Sequence, residues 1–256
     1  MSVATSPVSS SLNSATLAVA AVLARFGADV RAGGLGASLA ARTCSVRVFG
    51  SKYGGHALCV PPDRLNVTSC FYINYGIEQD YSFDTELSGA LGCAGVALDP
   101  TVTHPSELVP NVFFLKLGAP SLETRYWQVL APTRLWAWHN RRPVFALKYD
   151  CEGCEYALAQ AGNLRQVDEL REFLQHTHQV NIELHLHTTF LDSTEKLANL
   201  AELLRVLHDV GLRLIHVAPG GCGRDKPGER SCRDEVYDAG LPCELADCTS
   251  FLFAKV

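Results

Sequence analysis

No stretch of this sequence stays apolar for the roughly 20 residues that a membrane-crossing helix needs. The best candidate, Ala15 to Phe26, is short and rich in alanine. Basic residues are in deficit too: 22 lysines and arginines against 27 acids give a formal charge of −5. Arg141-Arg142 is the only notable basic pair outside the scatter from Arg224 to Arg233. Gripping a phosphate backbone takes a basic face, so nucleic acid is not expected as a partner. Three enzyme signatures are also missing. Without G-x-x-x-x-G-K-[ST] there is no cradle for a nucleoside triphosphate, which argues against phosphoryl transfer. Without G-x-S-x-G there is no nucleophile elbow. Without a full G-x-G-x-x-G, a dinucleotide-binding reading loses its main support.

What is present describes an ordered globular protein. Apolar residues make up 47% and charged residues 19% of 256 positions, enough to bury one substantial core. Residues 1–43 carry one acid, Asp29, three arginines and many serines and alanines. That bias fits an organelle or secretory targeting segment, and a disordered tail fits equally. The compartment is therefore open, with the cytoplasm as the reading without targeting. Residues 44–256 are read as the folded domain. Ten cysteines leave three readings open. Cys70, Cys93 and Cys151 fall in or beside core elements, where free cysteine behaves as a small apolar residue. Cys222, Cys232, Cys243 and Cys248 cluster in a Gly/Pro/Arg-rich stretch where disulfides would fit, while a zinc site there lacks paired CxxC spacing. Asn66-Val67-Thr68 is a glycosylation sequon that matters only in a secreted chain.

Cys44 to Leu65 reads as irregular. After it, seven apolar runs follow at 70–77, 95–99, 112–117, 144–149, 181–187, 212–218 and 250–255. Helical stretches lie between several of them, at 82–91, within 155–174 and at 195–210. The last has an apolar stripe of Leu197, Leu200, Leu203, Leu204 and Leu207 and a stop at Gly211. The helix content of 118–142 is undefined. Short apolar runs alternating with helices imply right-handed crossovers. The expected fold is α/β: a Rossmann-like, seven-stranded, mainly parallel sheet with helices on both faces. The last run follows through a long loop, so its strand is expected to enter antiparallel.

In such a sheet, ligands bind beyond the carboxyl ends of the strands, where the strand order reverses. Polar residues gather at those ends. Phe71 to Gly76 is a strand entering a glycine turn, and Asp99 closes the next strand near the roughly 20-residue spacing of a ribose-binding acid. Asp150, Glu152 and Glu155 form the densest acidic group. Asp150 sits at a strand end, while Glu155 is read equally as a helix-capping acid. Cys151 and Cys154 have redox spacing, yet the flanking acids would raise their thiol pKa values. Glu183, His185 and His187 alternate, so a strand would present all three on one face as a base with its partner or as metal ligands. His104 and His139 read as surface or loop residues. No metal centre is assigned.

Tyr75-Gly-Ile-Glu-Gln-Asp-Tyr-Ser-Phe-Asp84 with Ala97-Leu-Asp-Pro-Thr101 resembles the opening of the methyltransferase-like family related to FkbM-type enzymes. Leu147-Lys-Tyr-Asp-Cys-Glu-Gly-Cys-Glu155 resembles that group's K-x-D-x-E-G-x-E signature, and Ile182-Glu-Leu-His185 its following E-x-H strand. The resemblance runs in order from about Gly54 to the C-terminus. It implies a class I methyltransferase domain using S-adenosylmethionine on a hydroxyl of a small-molecule or glycan-like acceptor. By position it implies that Gly76, Asp80 and Phe83 line the cofactor side and that Asp99 holds the ribose. Asp150 would lie beside the transferred methyl group, with Glu152 and Glu155 supporting that pocket. His185 or Asp150 would take the acceptor's proton. Cys151 and Cys154 depart from the aliphatic and small residues usual at those places. A nicotinamide-dependent oxidoreductase and a catalytically silent domain of the same fold remain the alternatives.

Overall fold

The computed structural model describes residues 44–51, 55–61, 70–122, 128–185, 194–219 and 249–255. His187, the sequon, residues 1–43 and the cysteine cluster from Cys222 to Cys248 lie outside them. An eight-stranded sheet dominates. Its strands are β3 (Phe71–Tyr75), β4 (Ala94–Leu98), β5 (Glu107–Val109), β6 (Val112–Leu115), β7 (Val144–Tyr149), β8 (Thr177–Leu184), β9 (Leu212–Pro219) and β10 (Thr249–Lys255). The spatial order is β5-β6-β4-β3-β7-β8-β10-β9. Pairings between β6, β4, β3, β7 and β8 are parallel, and β10 enters antiparallel between β8 and β9. This is the expected Rossmann-like, doubly wound arrangement, including the reversed last strand. The count is one higher than expected because Glu107–Val109 adds a short antiparallel edge to β6.

Each face has its own core. On one side Ile73, Tyr75, Leu147, Tyr149 and Ile182 pack under helices α2 (Pro132–Trp138), α3 (Leu164–Gln175) and α4 (Thr194–Asp209). Helix α4 buries Leu197, Leu200, Leu203, Val206 and Leu207, the 3.6-residue stripe that defines it in sequence. Helix α2 fills the stretch whose helix content the sequence leaves undefined. It begins with proline at its first turn, and Trp136 is buried and donates from its indole to Arg142 O at 2.9 Å. On the other side lies α1 (Ser82–Leu91), which buries Phe83 and Leu87 and ends on left-handed Gly92.

The stretch expected to be irregular holds a hairpin instead, β1 (Ser45–Phe49) paired with β2 (His56–Val60). It lies over the α1 face of the sheet, and two amide side chains of β8 hold its inner edge. Gln179 accepts from Cys59 N at 2.7 Å and donates to Cys59 O at 3.2 Å, while Asn181 donates to Ala57 O at 3.0 Å. That coupling explains why β8 begins at Thr177, before its apolar run. Its outward positions are polar because they bond a covering hairpin rather than water.

Among the described residues three cysteine pairs are joined, which corrects the free-thiol reading of Cys70, Cys93 and Cys151. Cys44 is bonded to Cys59 within the hairpin, Cys70 to Cys93 at the mouths of β3 and β4, and Cys151 to Cys154 in the turn after β7.

Candidate functional site

Strand order reverses between β4-β3 and β7, so the crevice at a switch point lies where Tyr75, Leu98 and Tyr149 end their strands. The chain crosses itself tightly here. Gly76 has φ +74°, and a Cβ on it would stand 1.5 Å from Asp150 O. Its amide donates to Leu98 O at 2.9 Å. The glycine therefore serves the crossing of two strand ends. Buried Lys148 fastens the same crossing, its Nζ donating to Gly76 O at 2.7 Å and Tyr75 O at 3.2 Å and lying 3.4 Å from Asp150 Oδ2. Lys148 stands in the K-x-D element, yet sequence reasoning assigned it no role.

Asp99 sits at the end of β4 and is 3% exposed. Oδ2 accepts from Ile77 N at 3.1 Å and Glu78 N at 2.9 Å. Oδ1 accepts from Thr101 N at 2.7 Å and Thr101 Oγ at 2.6 Å. All four of its lone-pair sites are engaged, two in holding the loop after β3 and two on Thr101 in the turn after β4. Asp80 accepts from Ser82 N at 2.9 Å at the start of α1 and from the Ser51 hydroxyl in the hairpin. It lines an open cleft of about 650 Å³ with Gly50, Ser51, Gln79, Tyr81, Ser82, Thr85 and Glu86. Phe83 is not brought to the strand ends: it lies in the core, edge-on to Tyr72 and His56.

The acids do converge. Glu78 and Glu152, on the loops after β3 and β7, both adopt left-handed backbone angles, φ 45° and 47°. Such conformations cost of order 1–3 kcal/mol for residues other than glycine and collect at functional loops. The Glu78 carboxyl is pushed upward, first by burial and then by the negative charges of Glu152, Asp150 and Asp99. His104, read as an isolated loop residue, joins this loop through Nε2 at 2.7 Å from Glu78 O and packs edge-on against Tyr81 and Phe114.

Glu155 turns inward. Its Oε2 accepts from Gly153 N at 2.9 Å, and Oε1 accepts from His185 N at 2.9 Å and meets His185 Nδ1 at 3.0 Å. It thus ties the turn after β7 to the end of β8. Burial alone would lower the His185 pKa, but the hydrogen bond and charge of Glu155, with Glu183 and Asp150, push it up to about 9. At neutral pH His185 is an imidazolium, so it is not the ready base that its position suggested. Burial of Asp150 is outweighed by Lys148, His56 and His185, which hold its carboxyl well below the usual range. Glu183 is pushed up to about 7, chiefly by burial and then by Asp150.

Sequence reasoning missed His56, which the hairpin carries to the same place. It is 3% exposed, with Nε2 3.5 Å from Asp150 Oδ2 and Nδ1 3.1 Å from Asn181 Oδ1. The one available signal was the short apolar run Ala57-Leu-Cys-Val60 after Gly54-Gly55, which has strand length and ends at a proline pair.

No family model and no curated protein matches this chain. It is similar to several solved structures at low identity. A DUF574 family protein from Streptomyces avermitilis is 15% identical over 73% of this chain and 75% of that one, with a TM-score of 0.34. A putative methyltransferase bound to the Trm112 activator of Haloferax volcanii is 10% identical over 95% and 97%, with a TM-score of 0.37. The O-methyltransferase NcsB1 from neocarzinostatin biosynthesis, in complex with S-adenosyl-L-homocysteine and 1,4-dihydroxy-2-naphthoic acid, is 12% identical over 76% and 51%, with a TM-score of 0.33. Likenesses this distant say nothing of this chain's substrates.

Proposed function

We propose that residues 44–256 form an FkbM-like, S-adenosylmethionine-dependent methyltransferase domain acting on a hydroxyl of a small-molecule or glycan-like acceptor. The observation that carries this reading is the meeting of Glu78, Asp150 and Glu152 at the switch point, where burial and the charges of the other two push the Glu78 carboxyl upward. Mutually repelling carboxylates at a ligand crevice favour a cation, and the cofactor brings both a sulfonium and an ammonium group. An anionic or neutral dinucleotide would not relieve that repulsion. Bound there, S-adenosylmethionine would supply an electrophilic methyl group, and the protein's contribution is alignment.

Glu78, Asp150 and Glu152 would face the cationic part of the cofactor. Asp150, kept ionised by Lys148, would orient the acceptor. His185, kept cationic by Glu155, would fix the β8 end and add positive charge rather than remove a proton. Gly76 and Asp80 would shape the loop and its flank. Asp99 could hold a ribose diol only by giving up some of its loop hydrogen bonds. That saturation is also the observation favouring a silent domain. Three disulfides in the described residues favour an oxidising compartment over the cytoplasm.

Calorimetry of the full chain with S-adenosylmethionine, S-adenosylhomocysteine and NAD tests the reading. Binding of the first two but not NAD is expected, with affinity reduced at least tenfold by Glu78→Gln. Binding of NAD alone, or of none, overturns it. Binding without methyl transfer to any hydroxyl acceptor in a broad panel would favour the silent domain.

A further inference from the structure

We propose that His56, Asp150 and Glu183 form a binding site for a divalent cation of the Mn²⁺ class, in the seam between the β1–β2 hairpin and the carboxyl ends of β7 and β8. One ligand atom from each lies within 4.8 Å of the other two. The three come from separate stretches of chain, so no sequence motif joins them, and the sequence alone assigned no metal.

The imidazole is prepared for this use. Ala57 O can only accept, so the Asn181 amide nitrogen faces it, at 3.0 Å. Asn181 Oδ1 is then the atom turned to His56 Nδ1, at 3.1 Å, and Nδ1 must carry a hydrogen. Nε2 is left as the coordinating atom, buried and aimed at Asp150. A ligating histidine that gives its other ring N–H to a carbonyl is the usual outer-shell arrangement, because it fixes both tautomer and ring orientation. The 3.5 Å between Nε2 and Asp150 Oδ2 is also the right edge. Two ligands about 2.0–2.2 Å from an ion stand roughly 3.0 Å apart in an octahedral set and roughly 3.4 Å apart in a tetrahedral one, so a small inward movement of either side chain closes the edge on the ion. Lys148 touches the same carboxylate at 3.4 Å but has its shortest bond, 2.7 Å, to Gly76 O. Counting Lys148 and the His185 imidazolium, whose Nε2 is 4.0 Å from Glu183 and whose Nδ1 is 3.0 Å from Glu155, against Asp150, Glu183 and Glu155 leaves one net negative charge for the cation.

One imidazole with two carboxylates suits Mn²⁺, with Zn²⁺ next in chemistry. The His56 side chain is 3% exposed, but those of Asp150 and Glu183 are 26% and 14% exposed, so the site opens on one side. Open positions are what separate a reactive metal site from a structural one. If the methyl-transfer reading holds, that opening is where an acceptor hydroxyl would sit and become more acidic.

The test uses the full chain, stripped with a chelator, and MnCl₂ as the probe, since thiols bind Mn²⁺ poorly. One saturable ion per chain is expected. Glu183→Gln and Asp150→Asn, with folding checked by circular dichroism, should each weaken binding at least tenfold. Pulsed EPR of the wild-type complex should show coupling to an imidazole nitrogen. Absence of saturable binding, of that nitrogen coupling, or of any loss in the folded variants overturns the site. The titration is run without nucleotide and the calorimetry above with chelator, so either proposal can fail alone.

Discussion

Gly76→Ala tests the crossing on which the site is built. The substitution places a methyl carbon 1.5 Å from Asp150 O, whereas Cβ contacts under 3.0 Å essentially never occur, so the two backbones must part by about 1.5 Å. The left-handed φ adds about 1–2 kcal/mol for a residue with a Cβ. Among the hydrogen bonds at the crossing, three involve Gly76 itself or the Asp150 amide: Gly76 N to Leu98 O at 2.9 Å, Lys148 Nζ to Gly76 O at 2.7 Å, and Asp150 N to Tyr75 O at 3.3 Å. Losing them costs about 1 kcal/mol each. The sum is roughly 4–5 kcal/mol, a large share of the 5–15 kcal/mol that holds a typical domain together. Gly211→Ala is the control. Its φ is +85° and nothing lies within 4 Å of the added carbon, so it carries only the conformational part, about 1–2 kcal/mol. Urea unfolding followed by circular dichroism should separate the two variants by about 3 kcal/mol. If both fall within 1 kcal/mol of each other, the close approach does not govern this loop.

Asn181→Leu should destabilise the chain by about 2–4 kcal/mol, because it strips Ala57 O and His56 Nδ1 of their partners; urea unfolding measures it, and a change under about 0.5 kcal/mol refutes the hairpin clasp. The Cys70–Cys93 bond closes a loop with sequence separation 23, worth about 3 kcal/mol on the chain-entropy account. Cys70→Ala/Cys93→Ala should therefore melt well below the oxidised parent, and equal melting with and without reductant on the parent would count against any such bond. Asp84 receives Tyr72 Oη and Asn74 Nδ2, both at 2.8 Å, in the core beneath α1. Asp84→Ala should cost about 2–4 kcal/mol and Tyr72→Phe less, and the reverse ranking in denaturant titrations would be wrong for this network. Asp99→Asn should lower stability even without cofactor, because an amide nitrogen cannot accept from the Ile77 and Glu78 or Thr101 donors; unchanged stability with lost cofactor affinity would instead mark a dedicated ribose ligand.

Position proved readable where a repeating pattern decides it, and duty did not. The apolar run of β7 from Val144 to Tyr149, the α4 leucine stripe and the long loop that announces the reversed last strand are all signals the chain carries locally. The hairpin was missed because Cys44 to Leu65 is broken by glycines and prolines, and because its stabilising partners, Gln179 and Asn181, stand more than a hundred residues away. The early start of β8 was missed for the same reason, since glutamine and asparagine on a strand look solvent-facing until a second layer covers them. At the strand ends, the acids lie where sequence reasoning put them. Whether each carboxylate is free depends on which amides fold back onto it. Asp99 and Glu155, which the motif pattern marks as cofactor residues, are engaged with backbone and with His185. Glu78, which it leaves unmarked, and Glu183, which it offers only as a base's partner or a metal ligand, have their carboxyls pushed upward. A nucleotide-fold fingerprint is therefore two superposed requirements, one for crossing two strand ends without collision and one for holding a ligand. In this chain Gly76, Lys148 and Asp99 answer the first, which leaves Glu78, Asp150, Glu183 and His56 as the groups placed to meet a ligand.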